Sequence, residues 1–115
     1  ERTMDMINRC ILIVKAKQPL QLWLQSLPDP ADLTLQQINR DSAAYLLPAY
    51  EDDDDRRKLL RRYSNLIFEE QLSSWWRDET DWPAKRDMRT FTRWFDVEFH
   101  SVVLDIVDKP LLHEK

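Results

Sequence analysis

The chain contains no glycine. Average usage is about 7%, so about eight glycines would be expected in a protein of this size. Glycine is the residue that takes positive φ without penalty and lets a backbone approach a ligand closely. The P-loop, the Rossmann dinucleotide fingerprint, the nucleophile elbow of α/β-hydrolases and the EF-hand calcium loop all rest on that property. Their standard forms are excluded. The single cysteine, Cys10, excludes an intramolecular disulfide and any multi-cysteine zinc or iron–sulfur site.

Cys10 opens one of the two longest uninterrupted apolar runs, Cys10–Val14, equalled by Ala43–Leu47. Five residues are far too few to span a bilayer, so no membrane association is expected. The setting suits a small buried hydrophobe in a reducing compartment. No charged-then-apolar leader is visible, so a cytoplasmic location is expected. The first residue is Glu1, which points to Met4 or Met6 as the native start. Residues 1–6 are expected to be disordered or to precede that start, and 109–115 to form a flexible tail. The 115 residues fit a single domain, and an apolar fraction of 43% is enough for a core.

Hydrophobic periodicity orders the elements. Ile7 to Lys15 reads as a buried strand. Pro19 suits the first turn of a helix carrying Leu20, Leu22, Trp23, Leu24 and Leu27, ended by Pro28-Asp29-Pro30. Thr34 is a good N-cap for a short helix through Asn39. Ala43 to Leu47 reads as a second strand, closed by Pro48. Asp52 to Asp55 then open a long helix with Leu59, Tyr63, Leu66, Ile67 and Trp75 as its apolar stripe. Carboxylates at a helix start complement the macrodipole. Consecutive helical residues point about 100° apart, so these four do not converge on a metal. Ser73 to Pro83 reads as helix end and loop. A new helix is predicted near Pro83, with Met88, Phe91 and Trp94 as its apolar face.

The last segment fits two patterns. Phe95, Val97 and Phe99 alternate with Asp96, Glu98 and His100 as in a strand. Phe95, Phe99, Val102, Val103 and Ile106 also fit a helical stripe. The β-branched content favours the strand. The apolar set then changes phase to Val102, Leu104 and Ile106, which predicts a bulge near His100–Ser101. The predicted architecture is α+β, in the order β-α-α-β-α-α-β, with a small, about three-stranded sheet packed against helices.

Across most of its length the chain resembles a family of small, functionally uncharacterised bacterial cytosolic proteins. The residues carrying the likeness are Ile11-Leu12-Ile13-Val14 with Lys17-Gln18-Pro19, Trp23-Leu24 and Leu27-Pro28. They continue with Ala44-Tyr45-Leu46-Leu47-Pro48, Phe68-Glu69, Trp75, Asp78-Glu79, Trp82-Pro83 and Arg86. They close with Trp94 to Ser101 and Asp105. The family carries a glycine where this chain has Ser74. The resemblance implies no activity, cofactor or site.

Two constellations carry chemistry. On a strand, Asp96, Glu98 and His100 share a face and are suitable ligand types for zinc, manganese or iron. Their spacing of nearly 7 Å per pair of residues is wide for one ion, so a solvated strand face is the favoured reading and no metal is expected. Ser101 and His100 are strand neighbours on opposite faces and cannot pair as nucleophile and base. The second constellation is Trp75, Trp76, Arg77, Trp82 and Arg86, with Arg89 and Arg93 beyond. Aromatics interleaved with arginines suit single-stranded nucleic acid. The net charge of −4 and the interleaved Asp78, Glu79, Asp81 and Asp87 argue against it. The stretch Arg56–Arg93 does hold ten basic residues against six acidic, but a solvated helix face explains that balance.

The function expected from these readings is a non-catalytic interaction or regulatory module. It would bind a protein partner or a second copy of itself through Trp75, Trp76, Arg77, Trp82 and Arg86. The alternative is a small metal-binding protein or enzyme built on Asp96, Glu98 and His100. No catalytic residue and no cofactor are assigned. Trp94 is expected in the core. Trp75 and Trp76 are adjacent and diverge by about 100° on a helix, so at least one of Trp75, Trp76 and Trp82 is expected to be exposed or at an interface.

Overall fold

A computed structural model describes residues 5–114 of the chain. Its frame is an antiparallel sheet of three strands: β2 (Arg9–Ala16) at the centre, with β3 (Ala44–Pro48) and β4 (Phe95–His100) on either side. A two-residue strand β1 (Asp5–Met6) pairs with a two-residue β5 (Leu104–Asp105) in a separate ribbon. Four helices complete the order: α1 (Gln18–Ser26), α2 (Leu35–Ile38), α3 (Asp53–Trp75) and α4 (Met88–Trp94). Without the ribbon the order is β-α-α-β-α-α-β, so the fold class is the α+β predicted above. No helix among the described residues is long and apolar enough to cross a membrane.

β2 alternates as a half-buried strand should. Cys10, Leu12 and Val14 are buried, while Arg9 and Lys15 are exposed. Leu12 faces Tyr45 on one side and Phe99 on the other. α1 sets Pro19 in its first turn, where the missing N–H costs nothing, and buries Leu20, Trp23 and Leu24. α2 is one turn held by a capping box. The Gln37 N–H donates to Thr34 Oγ1 at 3.1 Å, and the Thr34 N–H donates to Gln37 Oε1 at 2.9 Å. Asn39 then ties α2 to β2: its Oδ1 accepts from the Ala16 N–H and its Nδ2 donates to the Ala16 carbonyl.

α3 is 23 residues long, about 34 Å at 1.5 Å per residue. Asp52 caps it by accepting from the Asp55 N–H, and Asp53, Asp54 and Asp55 fill the first turn. Its buried face is Ser64, Ile67, Phe68 and Leu72. The predicted stripe is thus corrected. Leu59, Tyr63 and Trp75 are half-buried at its margin, and Leu66 is 68% exposed. Phe68, the largest fully buried side chain of the helix, marks the face that turns inward. It sits 5.3 Å from Phe95, 5.4 Å from Trp94 and 6.1 Å from Phe91, centroid to centroid. A helix turned to bury Phe68 must expose Leu66, two positions and about 200° away.

Two other expectations are corrected. The helix predicted near Pro83 begins at Met88. Asp87 caps it, accepting from the Thr90 N–H at 2.8 Å, while residues 82–87 form a loop pinned by Asn65 Nδ2 to the Arg86 carbonyl and Arg86 Nη1 to the Pro83 carbonyl. The bulge lies on the other strand. Four residues separate Met6 from Ile11, but three separate His100 from Leu104, so the extra residue is among Ile7–Cys10. Val102, Leu104 and Ile106 therefore keep the parity of His100 and remain exposed. Of residues 1–6, Asp5 and Met6 are in the ribbon, and 1–4 lie outside the described residues, as does Lys115 at the other end.

The described residues span 54 × 30 × 26 Å with a radius of gyration of 16.2 Å. A compact domain of this length has about 13 Å. The long helix and the ribbon account for the excess.

Candidate functional site

The tryptophan cluster closes a loop. Three indole N–H groups converge around the single 3₁₀ turn Glu79–Asp81. Trp23 Nε1 donates to the Asp81 carbonyl at 2.9 Å, Trp76 Nε1 to Asp81 Oδ2 at 2.9 Å, and Trp82 Nε1 to the Trp76 carbonyl at 2.7 Å. Asp78 caps the turn through Thr80, and those hydrogen bonds hold its carboxyl below the usual range. Arg86 lies over the Trp82 ring at 5.7 Å, and Arg77 is exposed. Trp75, Trp76 and Trp82 are each half-buried against the core, so none of the three stands fully exposed. Helical divergence does not apply to Trp76, which is the C-cap of α3 with extended backbone, φ −155° and ψ 116°. Trp94 is half-buried rather than core. It tilts between Trp23 at 6.2 Å and Phe68 at 5.4 Å.

Asp96, Glu98 and His100 do share the exposed face of β4. They do not gather round a point. Asp96 faces Lys17 at 3.4 Å, whose Nζ also donates to the Thr92 carbonyl. Glu98 Oε2 lies 2.7 Å from His100 Nε2. That hydrogen bond, then the charge of His100 and of Lys15, holds the Glu98 carboxyl below its usual range. Among the described residues, no three His, Cys, Asp or Glu side chains are grouped to hold a metal ion. Cys10 is buried with its Sγ 3.4 Å from the Pro48 carbonyl, and burial raises its pKa. A thiol held neutral in that way is a poor nucleophile.

Among the concave surfaces of the described residues is an apolar groove between β3 and α3, about 410 Å³ in volume. Its walls are Tyr45, Leu47, Tyr63, Leu66 and Ile67, with Leu46 at the rim and Glu70 at one end. Leu66, displaced from the core by Phe68, supplies much of the apolar surface. Tyr45 fixes the acidic end: its hydroxyl donates to Glu70 Oε2 at 2.8 Å and accepts from Gln71 Nε2 at 2.8 Å. Burial, with the adjacent Glu70 charge, pushes the Tyr45 pKa well up, so it stays a donor. Beyond Glu70 the surface dips again past Asp41, Ser42 and Trp75. β3 pairs only with β2 among the described residues, so its second edge borders the groove. Edge position was readable from the short strand and its closing Pro48. The groove was not, because it depends on how α3 is rotated.

No protein-family model, curated protein or solved structure matches the chain significantly.

Proposed function

We propose that the chain is a non-catalytic protein-binding module whose contact surface is the groove between β3 and α3, together with the free edge of β3. The observation that carries this reading is an apolar groove beside an unpaired strand edge, with Leu66 on its wall 68% exposed. A bound strand would gain main-chain hydrogen bonds along β3, while alternate side chains enter the groove. That is the β-augmentation mode of peptide recognition. The Trp76–Arg86 region is less suited to a partner, because its indole donors are already satisfied internally. Asp96, Glu98 and His100 lack the enclosure that acid–base or metal chemistry needs.

The reading is tested by titrating the protein with a blocked hexapeptide of alternating valine and threonine, followed by amide NMR shifts. Shifts should concentrate on Ala44–Pro48 and on the α3 residues from Tyr63 to Glu70, and should vanish in Leu66→Asp. Absence of binding, or shifts centred on Trp76 to Arg86, would overturn it.

A further inference from the structure

The groove continues past Glu70 into a second depression, and the strand register says which side chain of a bound peptide reaches it. The Val14 N–H donates to the Ala43 carbonyl, and the β2–β3 pairing keeps that parity. Ala43, Tyr45 and Leu47 therefore turn their main-chain groups toward β2, and Ala44 and Leu46 hold theirs out at the free edge. A strand added there bonds to Ala44 and Leu46. Its side chains opposite Leu47 and Tyr45 fall on the same face as those residues, in the groove, because cross-strand neighbours share a face. The next position on that face lies opposite Ala43. Ala43 belongs to the second depression, about 250 Å³, whose walls include Asp41, Glu70 and Trp75 beside Val14 and Ala16. We propose, resting on the reading above, that the partner strand runs antiparallel to β3 and carries two apolar side chains at alternate positions, followed two residues later by a basic residue held by Glu70 and Asp41.

Charge complementarity selects the basic residue. Among the described residues, neither Asp41 nor Glu70 is in an ion pair. No lysine or arginine lines either depression. Arg40 adjoins Asp41 in sequence but lines neither and is likewise in no ion pair among the described residues. Arg62 lies over the Tyr63 ring, at the end of the groove away from Glu70. α3 has no basic residue in its last turn, so the negative end of its dipole adds to the field of the two carboxylates. The Tyr45 hydroxyl positions Glu70 through Oε2. Trp75 adds an aromatic wall, which attracts a cationic head group. Direction follows from pairing strength, since antiparallel ladders are the more stable per residue. That direction puts the basic residue on the C-terminal side of the apolar pair. The chain's own tail lies elsewhere. Leu111 and His113 flank Leu46, whose side chain stands on the sheet face opposite to that of Tyr45 and Leu47.

Calorimetric titration of the full chain with three peptides, blocked at both ends, tests the proposal. The first reads threonine-valine-threonine-valine-threonine-lysine-threonine. The second has norleucine in place of lysine, and the third is the first reversed. The first should bind at least about tenfold more tightly than either of the others, equivalent to about 1.4 kcal/mol. Glu70→Gln with Asp41→Asn should erase the lysine advantage. Asp29→Asn with Asp32→Asn removes the same charge from the loop between α1 and α2 and should leave the advantage intact. All four positions are exposed, and circular dichroism should show both variants folded. Equal affinity for the norleucine or the reversed peptide would overturn the proposal. So would a lysine advantage that survives Glu70→Gln with Asp41→Asn, or one lost equally in the control variant. If the alternating valine–threonine peptide binds at the groove and lysine adds nothing, this inference falls and the peptide-binding reading stands. If no peptide binds, both fall.

Discussion

Phe68 and Leu66 show how one side chain sets another's fate. Both are large apolar residues on α3, and helical periodicity admits either to a core stripe. Phe68 meets three aromatic neighbours within 6.1 Å, so the helix turns to bury it and Leu66 is left on the groove wall. Phe68→Ala is expected to cost about 3–5 kcal/mol, because the transfer loss is joined by a cavity that the surrounding rings cannot close. Leu66→Ala should change stability by less than about 0.5 kcal/mol, as for other exposed positions. Urea melts of both variants check the pair, and an equal loss would mean that the helix is rotated otherwise. The tryptophans follow similar logic. A half-buried indole needs a partner for its N–H, and Asp81 and the Trp76 carbonyl provide three between them. Residue types alone do not reveal such partners, which is why Trp76 and Trp82 look like free surface in the sequence.

Helix starts were the most legible elements. Thr34 and Asp52 act as N-caps where short polar residues precede apolar periodicity. The start of α4 was misplaced because Pro83 also suits a first turn, yet Asp87 provides the cap that counts. The Asp87 carboxyl is held low by hydrogen bonds from Thr90, with Lys85 and Arg89 adding to the effect. A depressed folded pKa means the cap stabilises above the ordinary carboxylate range and is lost as pH falls through the folded value. Asp87→Ala should therefore lower the melting temperature at neutral pH, and the two melting curves should converge in acid. A gap that persists below the folded pKa would indicate a packing role for the side chain instead. At the last strand, alternation correctly placed Asp96, Glu98 and His100 on one solvated face. The bulge was assigned to the wrong strand, because an apolar run at Val102 reads as a change of phase when its pairing partner is unknown.

At the scale of the whole molecule, the ribbon extends the protein without adding to its core. The buried cluster draws on β2, β3, β4 and all four helices, but on no residue of β1 or β5. Val102→Thr with Ile106→Thr should consequently leave urea stability of the dilute protein within about 0.5 kcal/mol of the parent. A larger loss would show that the ribbon braces the domain and is not merely carried by it. The open β3 edge and the exposed ribbon face are also the surfaces that aggregation-resistant proteins usually cover.

The amino-acid sequence by itself determined the α+β class, the order of the principal elements, the cap of α2, the acidic start of α3, and the exclusion of glycine-dependent phosphate loops. Each of these follows from neighbours within a few residues, or from what a chain without glycine cannot do. The tertiary structure alone decided which face of α3 is buried, which strand carries the extra residue, and how the indole donors are satisfied. It also made the groove, between an edge strand and a helix that are joined in sequence only through the loop before Asp53. These outcomes depend on competition among side chains distant in the chain for one packed interior. Local periodicity nominates the competitors, and only close packing selects among them.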